Sequence, residues 1–161
     1  MVRSKSASLI GIAFLVFLVS GCAAFTQYGK LEKSARGSYL SKNYDRAVFD
    51  VVQSLKINPE YDLAQDLVKL VIPLAIDDHL SKIKEAKSGT EKFQWDIVVS
   101  NYEALIKLNE AIKSLPVLTN KKTKETIKFE VTSYSKELSE AKNNAAEGHY
   151  KEGILISKRG T

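Results

Sequence analysis

Apolar residues recur at steps of three and four along almost the whole chain after residue 23, and this periodicity constrains the fold more than any other feature of the sequence. Such spacing places apolar side chains on one face of an α-helix. Apolar and polar residues do not alternate over a stretch long enough to indicate a strand. The pattern therefore predicts an all-α protein with about five to six helices.

Capping and helix-breaking residues predict the bounds of the second and third helices. Asn43 is placed to cap the second helix, and Asn58-Pro59 is expected to end it, because the residue before a proline avoids the helical region. The third helix is predicted over 61–87, where Pro73 should kink or split it. The inward positions predicted for the second helix are Tyr44, Ala47, Val48, Val51 and Leu55. Those predicted for the third are Leu63, Leu67, Leu70, Val71, Leu74, Leu80 and Ile83.

The second half of the chain predicts two more helices and a short final segment. Thr90 is a candidate cap for a helix over 92–114, which Pro116 should terminate before a polar loop. The inward positions predicted for this helix are Val98, Tyr102, Leu105, Leu108 and Ile112. The next helix is expected to pack along the stripe Ile127, Val131, Tyr134, Leu138, Ala141 and Ala145. A separate aliphatic segment is expected over 148–157.

Composition places the chain among compact globular proteins and argues against nucleic-acid binding. The 161 residues are 44% hydrophobic and 27% charged, which suits one compact domain or two small ones. Of the formal charge of +5, Arg3 and Lys5 contribute two, so +3 remains beyond the first 21 residues. This excess is small, and its lysines are mostly interleaved with acids. The single cysteine excludes an intramolecular disulfide.

The first 21 residues have the pattern of a secretory signal peptide. Residues 1–6 carry two positive charges and no acid, and an apolar stretch follows from Ala7 to Val19. A transmembrane helix needs about 20 apolar residues, so this stretch is too short to be one. The sequence predicts export of the chain from the cytoplasm.

The stretch Val19-Ser20-Gly21-Cys22 resembles the bacterial lipobox. The resemblance implies cleavage between Gly21 and Cys22, a diacylglyceryl group on the Cys22 sulfur, and a mature chain of 140 residues, which is 161 less the 21 of the leader. Residues 22–27 would form a lipidated tether and 28–161 the helical domain. Because Ala23 rather than Asp follows the cysteine, the resemblance implies the outer membrane, facing the periplasm, in an organism with two membranes.

Residues 43–61 resemble the second helix of a tetratricopeptide repeat (TPR), with Tyr44, Ala47, Ser54 and Pro59 at the family's positions and Ala35 at its small residue in the preceding helix. Trp95 begins a weaker echo 51 positions after Tyr44, and either "HYKEGI" at 149–154 or Ala146–Tyr150 could begin a further repeat. The resemblance implies an array of antiparallel helix pairs that binds a protein or peptide. An unrelated helical bundle remains the alternative.

The residues offer little for catalysis. His79 and His149 are the only histidines, and Asp77-Asp78-His79 would point to different faces of a helix, so neither a metal site nor a cofactor is predicted. Lipidation would consume the Cys22 thiol, and the chain contains neither a phosphate-binding glycine loop nor a G-x-S-x-G turn. We therefore predict a non-enzymatic, lipid-anchored scaffold for an envelope protein or peptide, of unknown oligomeric state.

Two alternatives remain at this point. A transport accessory could hold a small apolar ligand or dock a solute-binding protein, because residues 67–76 are more apolar than one helix face requires. A structural part of an envelope assembly is the other alternative. A central helix buried all round would also explain the 67–76 stretch.

Overall fold

The computed structural model describes residues 26–121 and 123–160 of the chain. The leader, Cys22 and the start of the tether lie outside the described residues. Five α-helices and one pair of two-residue strands make up the regular structure of these residues, so the predicted all-α class is confirmed. The elements are α1 Gln27–Leu40, α2 Tyr44–Ile57, α3 Asp62–Ser88, α4 Gln94–Lys113, β1 Leu118–Thr119, β2 Thr126–Ile127 and α5 Ser135–Arg159.

Side-chain caps fix the start of the first two helices. The Thr26 hydroxyl accepts a hydrogen bond from the Gly29 backbone N–H at 3.2 Å, and the Asn43 side chain accepts one from the Arg46 N–H at 3.3 Å. The predicted Asn43 cap is thus confirmed. The predicted Thr90 cap is wrong, because α4 begins after Phe93, which has a left-handed backbone (φ 64°) and makes no side-chain cap.

Each helix packs antiparallel against the next one along the chain. Ser34 meets Asp50 across α1 and α2, His79 meets Asn101 across α3 and α4, and Lys142 meets Glu103 across α5 and α4. Contacts also join α1 to α3 and α2 to α4, so the helices form a layered array. In α2 and α4, all of the predicted inward residues are buried except Tyr44, which is half-buried.

The buried face of α3 matches the predicted one only in part, because Leu67, Val71 and Ile83 are buried and Leu74 is half-buried. Leu63, Leu70 and Leu80 are exposed, and the helix instead packs a neighbouring face that includes small side chains. Helix α3 also continues through Pro73 instead of splitting, with Pro73 on the exposed side. The residues of α3 that enter the core are Ala64, Leu67, Val68, Val71, Ile72, Ala75 and Ile83.

The predicted helix beginning near Ile127 is wrong in its first half. Leu118 pairs with Ile127 and Thr119 with Thr126 in an antiparallel hairpin, and residues 128–134 are irregular. Helix α5 begins only at Ser135 and then continues through the segment that was predicted to be separate. The apolar residues still face inward, because Ile127, Phe129 and Val131 pack on the core formed by α1–α3 and the end of α4.

Candidate functional site

A buried polar cluster joins three helices around His79. The side chain of this α3 residue is only 9% exposed. Its Nε2 lies 2.9 and 3.1 Å from the two carboxylate oxygens of Asp45, in the first turn of α2, and its Nδ1 lies 2.7 Å from Oδ1 of Asn101 on α4. The Asn101 amide donates its Nδ2 hydrogen to the Ile97 carbonyl at 2.7 Å, which turns Oδ1 toward the imidazole. This cluster was not predicted from the sequence, because Asp45 and Asn101 are 34 and 22 residues from His79.

Both ring nitrogens of His79 face acceptors, so the arrangement favours the imidazolium form, in which both nitrogens donate. The hydrogen bond to the Asp45 carboxylate raises the pKa of His79, with smaller support from Asn101, while burial and the nearby Lys82 charge act in the opposite direction. With both nitrogens engaged, the imidazole lacks a lone pair for a general base or a metal ligand. The cluster is therefore suited to hold α2, α3 and α4 together.

The other titratable residues considered above do not converge on His79. Asp77 is exposed, and Asp78 is bound by Lys82 at 2.6 Å. His149 lies on the surface, 3.0 Å from Asp96, with its ring stacked on Phe93. Among residues 26–121 and 123–160, no group of three or more His, Cys, Asp or Glu side chains is arranged to hold a metal ion.

The residues assigned to repeat packing lie in two parts of the array. Ala35 and Ala47 are fully buried where α1 meets α2, and the Ser54 hydroxyl donates to the Tyr28 carbonyl at 2.8 Å. Tyr44 packs half-buried on the same core, and the carbonyl of Pro59 accepts a hydrogen bond from Gln65. Trp95 lies apart from them, at the start of α4, where it packs against a separate group of buried residues that includes Ile83, Val98 and Leu105.

The end of α5 exposes an unusual amount of apolar surface. We call the residues Tyr150, Ile154, Leu155 and Ile156 the open α5 end. Ala141 is the one residue of this 25-residue helix that is fully buried. Glu152 forms an ion pair with Lys92 at 2.6 Å, and this pair holds the open α5 end near the start of α4.

A second exposed feature lies at the opposite end of the array, where α4 meets the hairpin. A cavity of about 440 Å³ opens there between apolar side chains of residues 112–117 and 126–131. Val117 on its edge is 79% exposed. The apolar stretch 67–76, which motivated the apolar-ligand alternative, instead packs Val71 fully into the core and leaves Leu70 exposed. This stretch is therefore not buried on all sides.

Comparisons with protein-family models, with curated proteins and with solved structures found no match to the chain. None of the helices in the described part of the chain combines the length and apolar character needed to cross a bilayer.

Proposed function

We propose that this protein is a lipid-anchored component of the bacterial envelope that binds a protein partner through the open α5 end. The anchor is Cys22, from the lipobox-like Val19-Ser20-Gly21-Cys22. The scaffold is the helical array, which we interpret as a degenerate TPR-like arrangement. The observation that carries the partner-binding role is the exposed apolar character of the open α5 end.

Exposing a helix end with these apolar side chains to water is unfavourable in free energy. Successive helical residues point about 100° apart, so Ile154, Leu155 and Ile156 present apolar surface in three directions. Helices that are apolar on all sides are normally covered by other protein, and the last helix of a soluble array usually has a polar outer face. Leu155 is 47% exposed and Ile156 60% exposed. The apolar surface in three directions and the exposure of these side chains favour a partner that packs on this segment.

The surface fits an amphipathic helix of another protein. An apolar helix stripe offers anchors at helical spacing to a partner helix. The only charged residues in 153–160 are Lys158 and Arg159, both basic. The partner should therefore place an acidic residue beside its apolar stripe, opposite the last turn of α5.

The open α5 end lies far from the proposed anchor. The 27 residues of α3 span about 40 Å, and the start of α1 is at one end of this length while the start of α4 is at the other. The open α5 end packs beside the start of α4. A protein tethered through Cys22 would thus present this surface away from its own membrane.

The proposed role is binding and does not include catalysis. His79 is enclosed by two hydrogen-bond acceptors, and His149 is paired on the surface. A structural part of an envelope assembly would use the same surface in a permanent complex. The ratio of the partner to this protein in the native complex distinguishes a binding scaffold from a structural part of an envelope assembly.

A photo-crosslinking amino acid at position 155 tests the partner. In intact cells we expect one major adduct, whose crosslinked peptide is an amphipathic helix with an acidic flank, and which is lost when Ile156→Asp is added. The matched control places the crosslinker at Leu40, which is 74% exposed at the end of α1. The same adducts from both positions, or none from 155, would reject the proposal.

The anchor has a separate test. Growth with a fatty-acid probe should label the wild-type protein but not Cys22→Ala. The intact mass of the native product should match a chain that begins at a lipidated Cys22. Equal labelling of both forms, or a native product that retains residues 1–21, would reject the anchor.

A further inference from the structure

We propose that the hairpin end of the array is a second membrane contact, which docks on the surface of an anionic phospholipid bilayer. The hairpin end consists of residues 113–121 and 123–131, from the last residue of α4 through β1 and β2 to the irregular segment that follows β2. The inference adds a lipid-binding surface to the proposed function, and it rests on the Cys22 tether only for the orientation of the molecule.

The hairpin end lies beside the point where the chain enters the array. Ser54 donates to the Tyr28 carbonyl, and the Tyr28 and Tyr61 rings meet edge to face at 4.9 Å. Gln65, one turn further along α3, donates to the Thr119 carbonyl of β1 at 3.2 Å. These contacts run from the first turn of α1 directly to the hairpin. The start of the array and the hairpin therefore occupy the same end of the molecule.

The tether is short compared with the size of the domain. Cys22 is four residues before Thr26, a reach of about 14 Å when extended. A lipid at Cys22 would hold the hairpin end close to the bilayer, while the open α5 end would lie about 40 Å further out. The surface nearest the membrane is thus the hairpin end.

Lysines flank the cavity at this end. The described residues of 113–131 contain four lysines and two glutamates, and Lys121 is paired with Glu60 at 3.3 Å. Lys113 and Lys128, on the edge of the cavity, make no ion pair within the described residues. Basic clusters beside a membrane anchor bind anionic lipid headgroups.

The apolar part of the hairpin end suits the interface below the headgroups. Val117 protrudes from the edge of the cavity, and Pro116 lies beside it. The walls are apolar and include Ile112, Leu115 and Phe129. A protruding aliphatic residue flanked by lysines places apolar surface at the acyl boundary and ammonium groups at the phosphates. A nucleic acid would use the lysines but not the apolar edge.

Tryptophan quenching by lipid tests the contact directly. The full chain, purified in detergent and reconstituted, is studied in vesicles of brominated phosphatidylcholine with or without brominated phosphatidylglycerol. The variant Val117→Trp/Trp95→Phe carries its only tryptophan at the hairpin, and the natural chain carries it at Trp95, near the other end. We expect quenching and a blue shift at position 117 in the anionic vesicles, with little change at Trp95.

Charge variants in the Val117→Trp/Trp95→Phe background test the mechanism. Each lysine near an anionic surface strengthens binding about fivefold, so Lys113→Gln/Lys128→Gln should lower the ratio of docked to detached hairpin about 25-fold. The control Lys84→Gln/Lys107→Gln removes the same charge from α3 and α4 and should leave the quenching unchanged. Quenching at 117 no greater than at Trp95, or an equal loss in both double variants, would overturn the docking.

The intact mass of the same preparation keeps the two proposals distinct. A lipidated Cys22 without quenching at 117 rejects the docking and retains the anchor. A free Cys22 thiol rejects the anchor, and quenching at 117 then still decides whether the hairpin end binds the anionic surface.

Discussion

Protonation of His79 should make the stability of this protein fall as the pH rises above the ordinary histidine range. The contact with Asp45 raises the pKa of His79 above the 6.5 of an unperturbed histidine. A group whose pKa is higher in the folded state contributes its full stabilisation below the unfolded pKa. That contribution is lost as the pH rises through the folded pKa. Asp78 and Lys82 are the other charged groups at this position, and they bind each other.

The geometry sets the size of the effect. The bond between Nε2 and the Asp45 carboxylate is 2.9 Å long, and bonds to charged partners contribute about 1.5–3 kcal/mol. The imidazole is almost fully buried, but the Asp45 side chain is 37% exposed, so water screens part of the attraction. We therefore expect the lower end of this range, about 1.5 kcal/mol.

Urea unfolding of the wild type and of His79→Gln measures this contribution. The free-energy difference between the two proteins should be about 1.5 kcal/mol larger at about pH 6 than at about pH 9. The same comparison with His149→Gln is the control, because His149 and Asp96 form a similar pair at 3.0 Å on the surface. Exposed pairs contribute about 0–1 kcal/mol. A pH-dependent difference no larger for His79 than for His149 would refute the reasoning.

Three further substitutions test the packing by urea unfolding and hydrogen exchange. Ser54→Ala leaves the Tyr28 carbonyl without its hydroxyl donor and should destabilise the protein by about 1–2 kcal/mol, against no change for exposed Ser81→Ala. Ala47→Leu places a larger side chain in the contact of α1 with α2 and should lower the free energy of unfolding by about 1–3 kcal/mol. An unchanged free energy of unfolding would show that this contact can accommodate the larger side chain. Gln65→Leu removes the donor to Thr119, so exchange should accelerate first in the hairpin and not in α5.

Local signals in the sequence were sufficient for α2 and α4. Both helices have a clear stripe of apolar residues against polar neighbours, and α2 also has Asn43 before it and Pro59 after it. In α2 the apolar periodicity agrees with the residues that begin and end the helix. The inward residues could therefore be predicted one by one.

The buried face of α3 could not be predicted in the same way. Residues 67–76 are apolar in nearly every direction, so the periodicity does not distinguish one face from the next. The buried face is the one that contains Ala64, Val68 and Ala75, because these small side chains allow α2 and α4 to approach α3 closely. Leu63 and Leu70 remained outside.

The hairpin end contained two periodicities at once. Ile127, Val131 and Tyr134 are spaced as in a helix, but Ile127, Phe129 and Val131 also alternate with Lys128 and Glu130 as in an extended chain. Both patterns bury Ile127 and Val131. β-Branched residues favour the extended form, and pairing with β1 stabilises it. The correct choice required β1 as a partner, which a local pattern does not reveal.

The His79 cluster depends on contacts across the array. Asp45 and Asn101 are 34 and 22 residues from His79, so nothing in the sequence around the histidine indicated either partner. Only the packing of α2, α3 and α4 brings the three side chains together. Polar groups buried in this way constrain the relative positions of helices, because a shift of one helix would leave a charge unpaired.

The two proposed contacts follow from one asymmetry of the array. The hairpin end carries Lys113 and Lys128 beside the exposed Val117, and the open α5 end carries exposed aliphatic side chains. In our proposals a bilayer surface attracts the first and a partner helix covers the second. Because α3 spans the distance between them and His79 ties it to α2 and α4, both surfaces belong to one packed body. With both contacts in place, a partner bound at α5 would therefore be held at a set height above the membrane.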